Sequence, residues 1–347
     1  MAKYRLFIGT YSKGPQGGLF FGEFDADSGE ISIKGSLDLE NPGYLQISPQ
    51  NGDVLYGVSE ISEFKSQKGG ALFSADISEP SKIRLLDIQC THGRLPCHLC
   101  AKDNFVFAAN YSEGSLSIFE TDKTGKIAAL GQSIHHFGKG PNPNRQEASH
   151  IHFASMDPCG EHLLVCDLGL DKVFLYPYSP KAGLSTKAKT IVCPPGSGPR
   201  HLDFSKCGKY LYVLTELKST VLAYEYSGGE TRLLQETSAL PEGYAGQSTA
   251  AAIHVSPDGT MLGASNRGAD CIALFEIADD GRLGSPKYIE GQKEPRDFGF
   301  SPDGNWVLSA NQNGDCIKIY GNKDGGFGFV GSVAVPSPVC VLFGGQI

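Results

Sequence analysis

Residues 295–311 read Pro295-Arg296-Asp297-Phe298-Gly299-Phe300-Ser301-Pro302-Asp303-Gly304-Asn305-Trp306-Val307-Leu308-Ser309-Ala310-Asn311. A short alternating run meets a Ser-Pro-Asp-Gly turn, and a second apolar run then ends on a polar residue. Period-two patterning on both sides of a glycine-containing tight turn predicts a β-hairpin. The same pattern returns at residues 41–60, 96–110, 149–167, 199–216 and 251–267. Turn glycines fall at Gly52, Gly160, Gly208, Gly259 and Gly304. A third strand pattern follows each hairpin, as at 116–119, 173–176, 221–224, 272–275 and 317–320, and a weaker fourth follows that, as at 281–285. Units of about 40–50 residues with four short strands each predict a β-propeller.

The chain ends fix the number of blades. Residues 4–10 read as a second strand and 18–24 as a third, while 338–343 read as a first strand. Six complete copies and one split between the termini make an all-β, seven-bladed β-propeller of four-stranded antiparallel blades. Pairing the terminal strands in one sheet closes the ring and removes its dangling edge. A linear two-domain arrangement leaves the N-terminal half-repeat without a partner, so residues 1–347 read as a single domain. The 44 glycines and 20 prolines among 347 residues agree with a turn-rich all-β chain.

A net charge of −8 and a pI near 5.6 disfavour nucleic acid or an anionic membrane as a partner. No charged-then-apolar leader precedes the first strand and no 18-residue apolar run occurs, so a cytoplasmic protein is expected. Most of the ten cysteines lie inside apolar strand runs, Cys166, Cys271, Cys316 and Cys340 among them, and read as reduced, buried thiols. Cys97-His98-Leu99-Cys100, with Cys90 and His92 nearby, is the cluster closest to a metal knuckle. A single CxxC without a second pair reads more simply as strand residues.

Hairpin geometry places the start of each first strand and the end of each second strand on the same rim. Strand-one starts carry His98, His150, His152, Arg200, His201, His254 and Arg296. Strand-two ends carry Glu60, Asn110, Asp167, Glu216, Asn266, Arg267, Asn311 and Gln312. Solvation explains asparagine and aspartate at strand ends; it does not call for several arginines and histidines. A rim so built is expected to be functional, since sites sit on loops presented by a rigid scaffold. Residues 131–149 (GQSIHHFGKGPNPNRQEAS) show no strand pattern and read as a binding loop, a lid or a surface excursion. They lead into His150-Ile151-His152, where alternation puts the two imidazoles on one face.

At these residues the chain resembles the bacterial propeller-type lactonases, which include cycloisomerase-type 6-phosphogluconolactonases and are related to fungal carboxymuconate-lactonizing enzymes. The resemblance runs through Gly9-Thr10-Tyr11, Asn41-Pro42-x-Tyr44-Leu45, Gly140-Pro141-Asn142-x-x-Arg145-Gln146 and His150-x-His152. It continues through Asp167-Leu168-Gly169-x-Asp171, Gly198-Pro199-Arg200-His201, Glu216, Thr249-Ala250-Ala251-x-Ile253-His254 and Ser265-Asn266-Arg267-Gly268. The copy at 96–110 departs from the pattern, lacking the Pro-Asp-Gly turn. The resemblance implies hydrolysis of an anionic sugar lactone at one mouth of the channel, without a cofactor or metal. It implies His150, Arg200, Glu216 and Arg267 as catalytic residues, with Arg145, Gln146, His152, His201 and Asn266 around the substrate.

Opening a lactone requires a base for water, donors for the tetrahedral oxyanion, and a proton for the leaving alkoxide. Glu216 and His150 are both candidates for the base; arginines beside Glu216 weaken it, and a histidine is better matched to neutral pH. On this reading His150 moves protons, Arg200 and Arg267 hold negative charge, and Glu216 orients an arginine or the water. Simpler readings stand beside it: an Arg200–Glu216 salt bridge locking one hairpin, histidines satisfied by carbonyls, and Arg267 as a turn residue. Two imidazoles and a carboxylate also suit a metal, though arginines nearby repel a cation. Lactonization of a muconate-like dicarboxylate, or a non-enzymatic interaction platform, are the alternative functions on the same fold.

Overall fold

Seven antiparallel sheets surround one axis in the computed structural model, which describes residues 2–14, 17–79, 81–323 and 325–347. Blade 1 draws on both chain ends, its strands running outward as Pro338–Gln346, Lys3–Thr10, Leu19–Asp25 and Ile31–Leu37. Leu342 faces Phe7 and Val341 faces Ile8 across the closing pair. The ring therefore shuts by ladder hydrogen bonds, as the split repeat requires. The inner hairpins of blades 2 to 4 are Pro42–Ile47 with Val54–Ser59, Pro96–Lys102 with Phe105–Asn110, and Ile151–Met156 with His162–Asp167. Blades 5 to 7 begin with Pro199–Phe204 and Tyr210–Thr215, Thr249–Val255 and Met261–Arg267, and Pro295–Phe300 and Trp306–Asn311.

Three local expectations meet the structure differently. Blade 3 makes its hairpin without Pro-Asp-Gly: Lys102 pairs with Phe105 around Asp103-Asn104, and Asp103 takes φ 49°. Aspartate tolerates that left-handed conformation, so a short turn forms anyway. The fourth strand of blade 6 is Lys287–Ile289, whereas 281–285 contributes only a bridge from Leu283 to Ile277. The stretch 131–149 begins as strand, because Ile127–His135 is the outermost strand of blade 3. An outer strand largely open to solvent on both faces carries no apolar alternation by which to recognise it.

Apolar side chains fill the seven spaces between adjacent blades, one cluster to each. Truncating a fully buried member such as Phe298 is expected to cost about 3–5 kcal/mol. At the closing interface Trp306, the chain's one tryptophan, lies edge-on to Phe24 and donates its indole N–H to Ala26 O at 2.9 Å. Gly29 (φ 77°) lets the backbone pass beneath that ring, where an added Cβ would sit 2.3 Å from it. Polar side chains of the innermost strands also stitch one blade to the next. Gln46, Asp203 and Asp297 accept the N–H groups of Ala101, Val255 and Val341 at 2.8, 2.7 and 2.9 Å. These bonds satisfy amides that no ladder reaches and tie adjacent blades together along the innermost strands.

Candidate active site

Each blade contributes two residues to one rim, and local backbone geometry selects them. The first strand of every blade opens with a bulge against the second. The extra residues are Val339, Gly43, Cys97, His152, Arg200 and Arg296, with Ala251-Ala252 spanning the bulge of blade 6. A bulge re-aims a side chain, here toward the mouth. Proline opens five of these strands, where its missing N–H leaves no ladder bond unmade. The second contribution closes the second strand or directly follows it: Tyr11, Glu60, Tyr111, Leu168, Glu216, Arg267 and Gln312 in blade order.

Glu216 organises one side of the rim. Its Oε2 accepts Arg200 Nε at 2.9 Å and lies 3.2 Å from Arg267 NH2, while Oε1 accepts from Arg145 NH2. Burial pushes this carboxyl up, but Arg267, Arg200 and Arg145 outweigh it and hold it well below the ordinary carboxylate range. Arg200 is 2% exposed and also donates to Ala251 O and, at 3.1 Å, to His201 Nε2. Burial and Arg267 lower it to about 10, so it stays cationic at neutral pH. Arg145 and Arg267 border an open cavity of about 850 Å³, joined by Lys218, Asn142, Ser248 and Glu294. The buried Arg267 Nε has no partner among the described residues.

His150 stands beside this cluster and does not line the cavity. Its ring stacks on Tyr111 at 4.4 Å between centroids, and the Tyr111 hydroxyl accepts Arg145 NH2 at 3.4 Å. Nδ1 faces Tyr111 O at 3.1 Å and Nε2 faces Glu147 Oε1 at 3.2 Å. Two oxygen acceptors satisfy an imidazole that carries protons on both nitrogens. Asp167 sets the position of the residue, accepting His150 N at 2.9 Å, Ser149 Oγ at 2.6 Å and His136 Nδ1 at 2.7 Å. The loop before His150 is thereby tied down, and Arg145 is the part of it that reaches the rim.

A second polar group lies in blades 7, 1 and 2. Tyr11 donates its hydroxyl to Glu60 Oε2 and accepts Arg296 NH2 at 2.5 Å, with the guanidinium 4.7 Å from the tyrosine ring. Burial raises the Glu60 carboxyl, against the opposing pull of Arg296, Tyr11 and Arg200. Tyr11, Arg296, Arg200, Cys97 and His201 line one small axial cavity, so the two groups face each other across the mouth.

Arg145, Arg200, Glu216 and Arg267 thus converge as the motifs suggest, with His150 one aromatic ring away. His152 and His201 lie beneath the guanidinium layer, 5.3 Å apart, and burial with Arg200 nearby lowers both well below the ordinary imidazole range. Two expected substrate contacts are absent from the rim. Gln146 is fully buried and spends its amide on Leu168 O and Asp171 Oδ1, because it anchors the loop. Asn266 turns into its blade and donates to Ala239 O at 2.9 Å, because alternation along the strand puts it on the face opposite Arg267. The pair Cys97 and Cys100 forms no knuckle: Cys97 Sγ meets the His152 carbonyl at 3.4 Å while Cys100 lies in an interblade core. Among the described residues, no group of three or more His, Cys, Asp or Glu side chains could hold a metal ion. Tyr11, Tyr111, Glu60 and Arg296 complete the rim: Glu60 and Arg296 stand where the strand ends place them, Tyr11 lies in the Gly9-Thr10-Tyr11 motif, and Tyr111 is marked only by its place directly after Asn110.

The family model of the seven-bladed β-propeller lactonases matches residues 5–343. A 6-phosphogluconolactonase of Bacillus subtilis is 35% identical over 305 residues, covering 86% of this chain and 85% of its own. A second 6-phosphogluconolactonase, from Formosa agariphila, is 34% identical over 78% of both chains. The periplasmic gluconolactonase of Pseudomonas aeruginosa superposes with a TM-score of 0.91 at 31% identity over 99% of each chain.

Proposed function

The chain belongs to the seven-bladed β-propeller lactonase family, and from that premise we propose that it hydrolyses a sugar δ-lactone of the 6-phosphogluconolactone type at the Glu216 rim. The observation that carries this reading is the Glu216 cluster, which presents Arg145 and Arg267 to an open cavity with room for a sugar phosphate, with His150 beside the cluster. Fixed positive charge in a partly dry site is worth most where negative charge develops in the transition state. The anionic end of the substrate rests against Arg145 and Lys218, and the lactone ring reaches toward the axis. Guanidiniums carry the oxyanion formed when water adds to the carbonyl carbon. His150, facing acceptors on both nitrogens, delivers a proton to the ring oxygen as the carbon–oxygen bond breaks. Glu216 stays ionised and serves as the anchor that stops the arginines from repelling one another apart.

The relatives' names divide between phosphorylated and unphosphorylated gluconolactone. Lys218 and Arg145 at the cavity favour the phosphorylated substrate here. A lactonase assay on both substrates tests this, followed by ring opening with spontaneous hydrolysis subtracted. Turnover with preference for the phosphorylated lactone is expected; no acceleration of either, or conversion of a muconate instead, overturns the reading.

A further inference from the structure

Ring opening requires a base for the attacking water, and the rim holds few groups able to act as one. Each blade supplies residues only from its bulge and its second-strand end, so the inventory is short. At those two positions the carboxylates are Glu60 and Glu216; Glu294 borders the outer cavity, and Asp297 at the axial one is engaged by His254 and Val341 N. Three arginines hold Glu216 as a weakly basic anion. The Cys97 thiol is pushed up by burial and faces carbonyl oxygens. His152 is buried beneath the arginines, and both nitrogens of His150 face acceptors.

We propose that Glu60 is the general base of the lactonase reaction, held in place by Tyr11 and faced by Arg296. This rests on the function proposed above. The Tyr11 hydroxyl fixes Oε2, while the bulge residue in front of the carboxylate is Gly43, where even a Cβ would come within 3.0 Å of that oxygen. A side chain at residue 43 would crowd that oxygen, and Gly43 itself lines the small axial cavity with Tyr11, Arg200 and Arg296. Arg296 forms no ion pair of 4 Å or less with Glu60, since the tyrosine oxygen stands between them. Its guanidinium is therefore placed to meet substrate oxygen while leaving Glu60 basic. The charged and titratable groups facing Glu60 are Tyr11, Arg296, Arg200 and, from blade 3, Cys97. Burial dominates over them and raises the carboxyl above its ordinary range, which makes it a stronger base than Glu216.

In the step, a water O–H bond breaks and its proton goes to Glu60. The water oxygen bonds to the lactone carbonyl carbon, and the oxyanion forms against the guanidiniums. The ring carbon–oxygen bond then breaks as His150 protonates the leaving oxygen. Glu60 and His150 exchange their protons with solvent, and the open-chain acid leaves.

Steady-state kinetics across pH on the full chain and two variants, with 6-phosphogluconolactone and gluconolactone, provide the test. Glu60→Gln keeps the shape and the Tyr11 contact; kcat is expected to fall about 100-fold or more with little change in KM, and the acid limb of the kcat profile to vanish. Tyr11→Phe removes a hydrogen bond that favours the carboxylate, so the acid limb moves to higher pH. Wild-type kcat in Glu60→Gln overturns the proposal, as does an unmoved acid limb in Tyr11→Phe, the measurement that stands if the first variant melts early. No turnover by the unaltered protein instead overturns the functional reading.

Discussion

Glu216 and Glu60 occupy the same place in their repeats, one residue past the second strand of blades 5 and 2, yet their surroundings oppose each other. Glu216 meets three guanidiniums and is held ionised; Glu60 meets a phenol and is raised by burial. The backbone of the propeller repeats, but the bulge residues beside each position do not: Arg200 stands in blade 5 and Gly43 in blade 2. Chemistry on this rim is set by which side chains the bulges present. A scaffold of seven near-equivalent positions can thus hold a permanent anion and a titrating one on the same rim.

Breaking the first environment is expected to have the largest effect. Glu216→Gln leaves Arg200 and Arg267 buried without a countercharge, and removing one partner of such a group typically costs about 3–5 kcal/mol. Thermal melting at neutral pH should show the loss, with lactonase activity falling at the same time. His150→Ala is expected to act differently, lowering kcat about 100-fold with a smaller loss in melting temperature, because the buried ring stacks on Tyr111 and leaves no unpaired charge when removed. Arg145→Ala sits lower still. Its side chain is 37% exposed, so folding is little affected, and KM for the phosphorylated lactone is expected to rise about tenfold. Equal loss in kcat would move Arg145 from substrate binding to transition-state stabilisation.

The fold was legible because hairpin spacing and the split blade are one-dimensional signals. The rim was legible only to within a residue. Thr10, Asn110, Asp167, Thr215 and Asn311 end their second strands, and Asn266 lies one residue before the end of its own; all are fully buried and bond within the protein, while the next residue faces the mouth. A one-residue step changes which face a side chain takes, and the bulges that set the step leave no periodicity in the sequence. Arg200, Glu216 and Arg267 were found because their motifs name them. Repeat position places Glu60 and Arg296 on the rim and a motif holds Tyr11, but sequence assigns none of them a role, because nothing in it shows that the three side chains meet. Gln146 was misplaced since a polar residue in a Gly/Pro-rich loop gives no sign that it will be buried.

The smallest effect is also the sharpest contrast, because the two carboxyls should change stability with opposite sign. Glu216 has its folded titration below the unfolded value of about 4.3. Its contribution is therefore complete above that pH and is lost as pH falls toward the folded value, where the native state must also take up the proton. Glu60 is raised in the fold, so between about pH 4.3 and its folded titration the native state binds more protons than the unfolded chain. Stability from this group accordingly falls as pH rises through that window and stays reduced above it. Glu60→Gln, which removes the charge and keeps the shape, should leave melting at neutral pH unchanged or raise it, whereas Glu216→Gln lowers it. Toward pH 4 the Glu216→Gln deficit should narrow and any Glu60→Gln gain should disappear. Parallel melting curves for the two variants across pH 4–8 would mean that the environments of the two carboxyls do not differ as their neighbours imply.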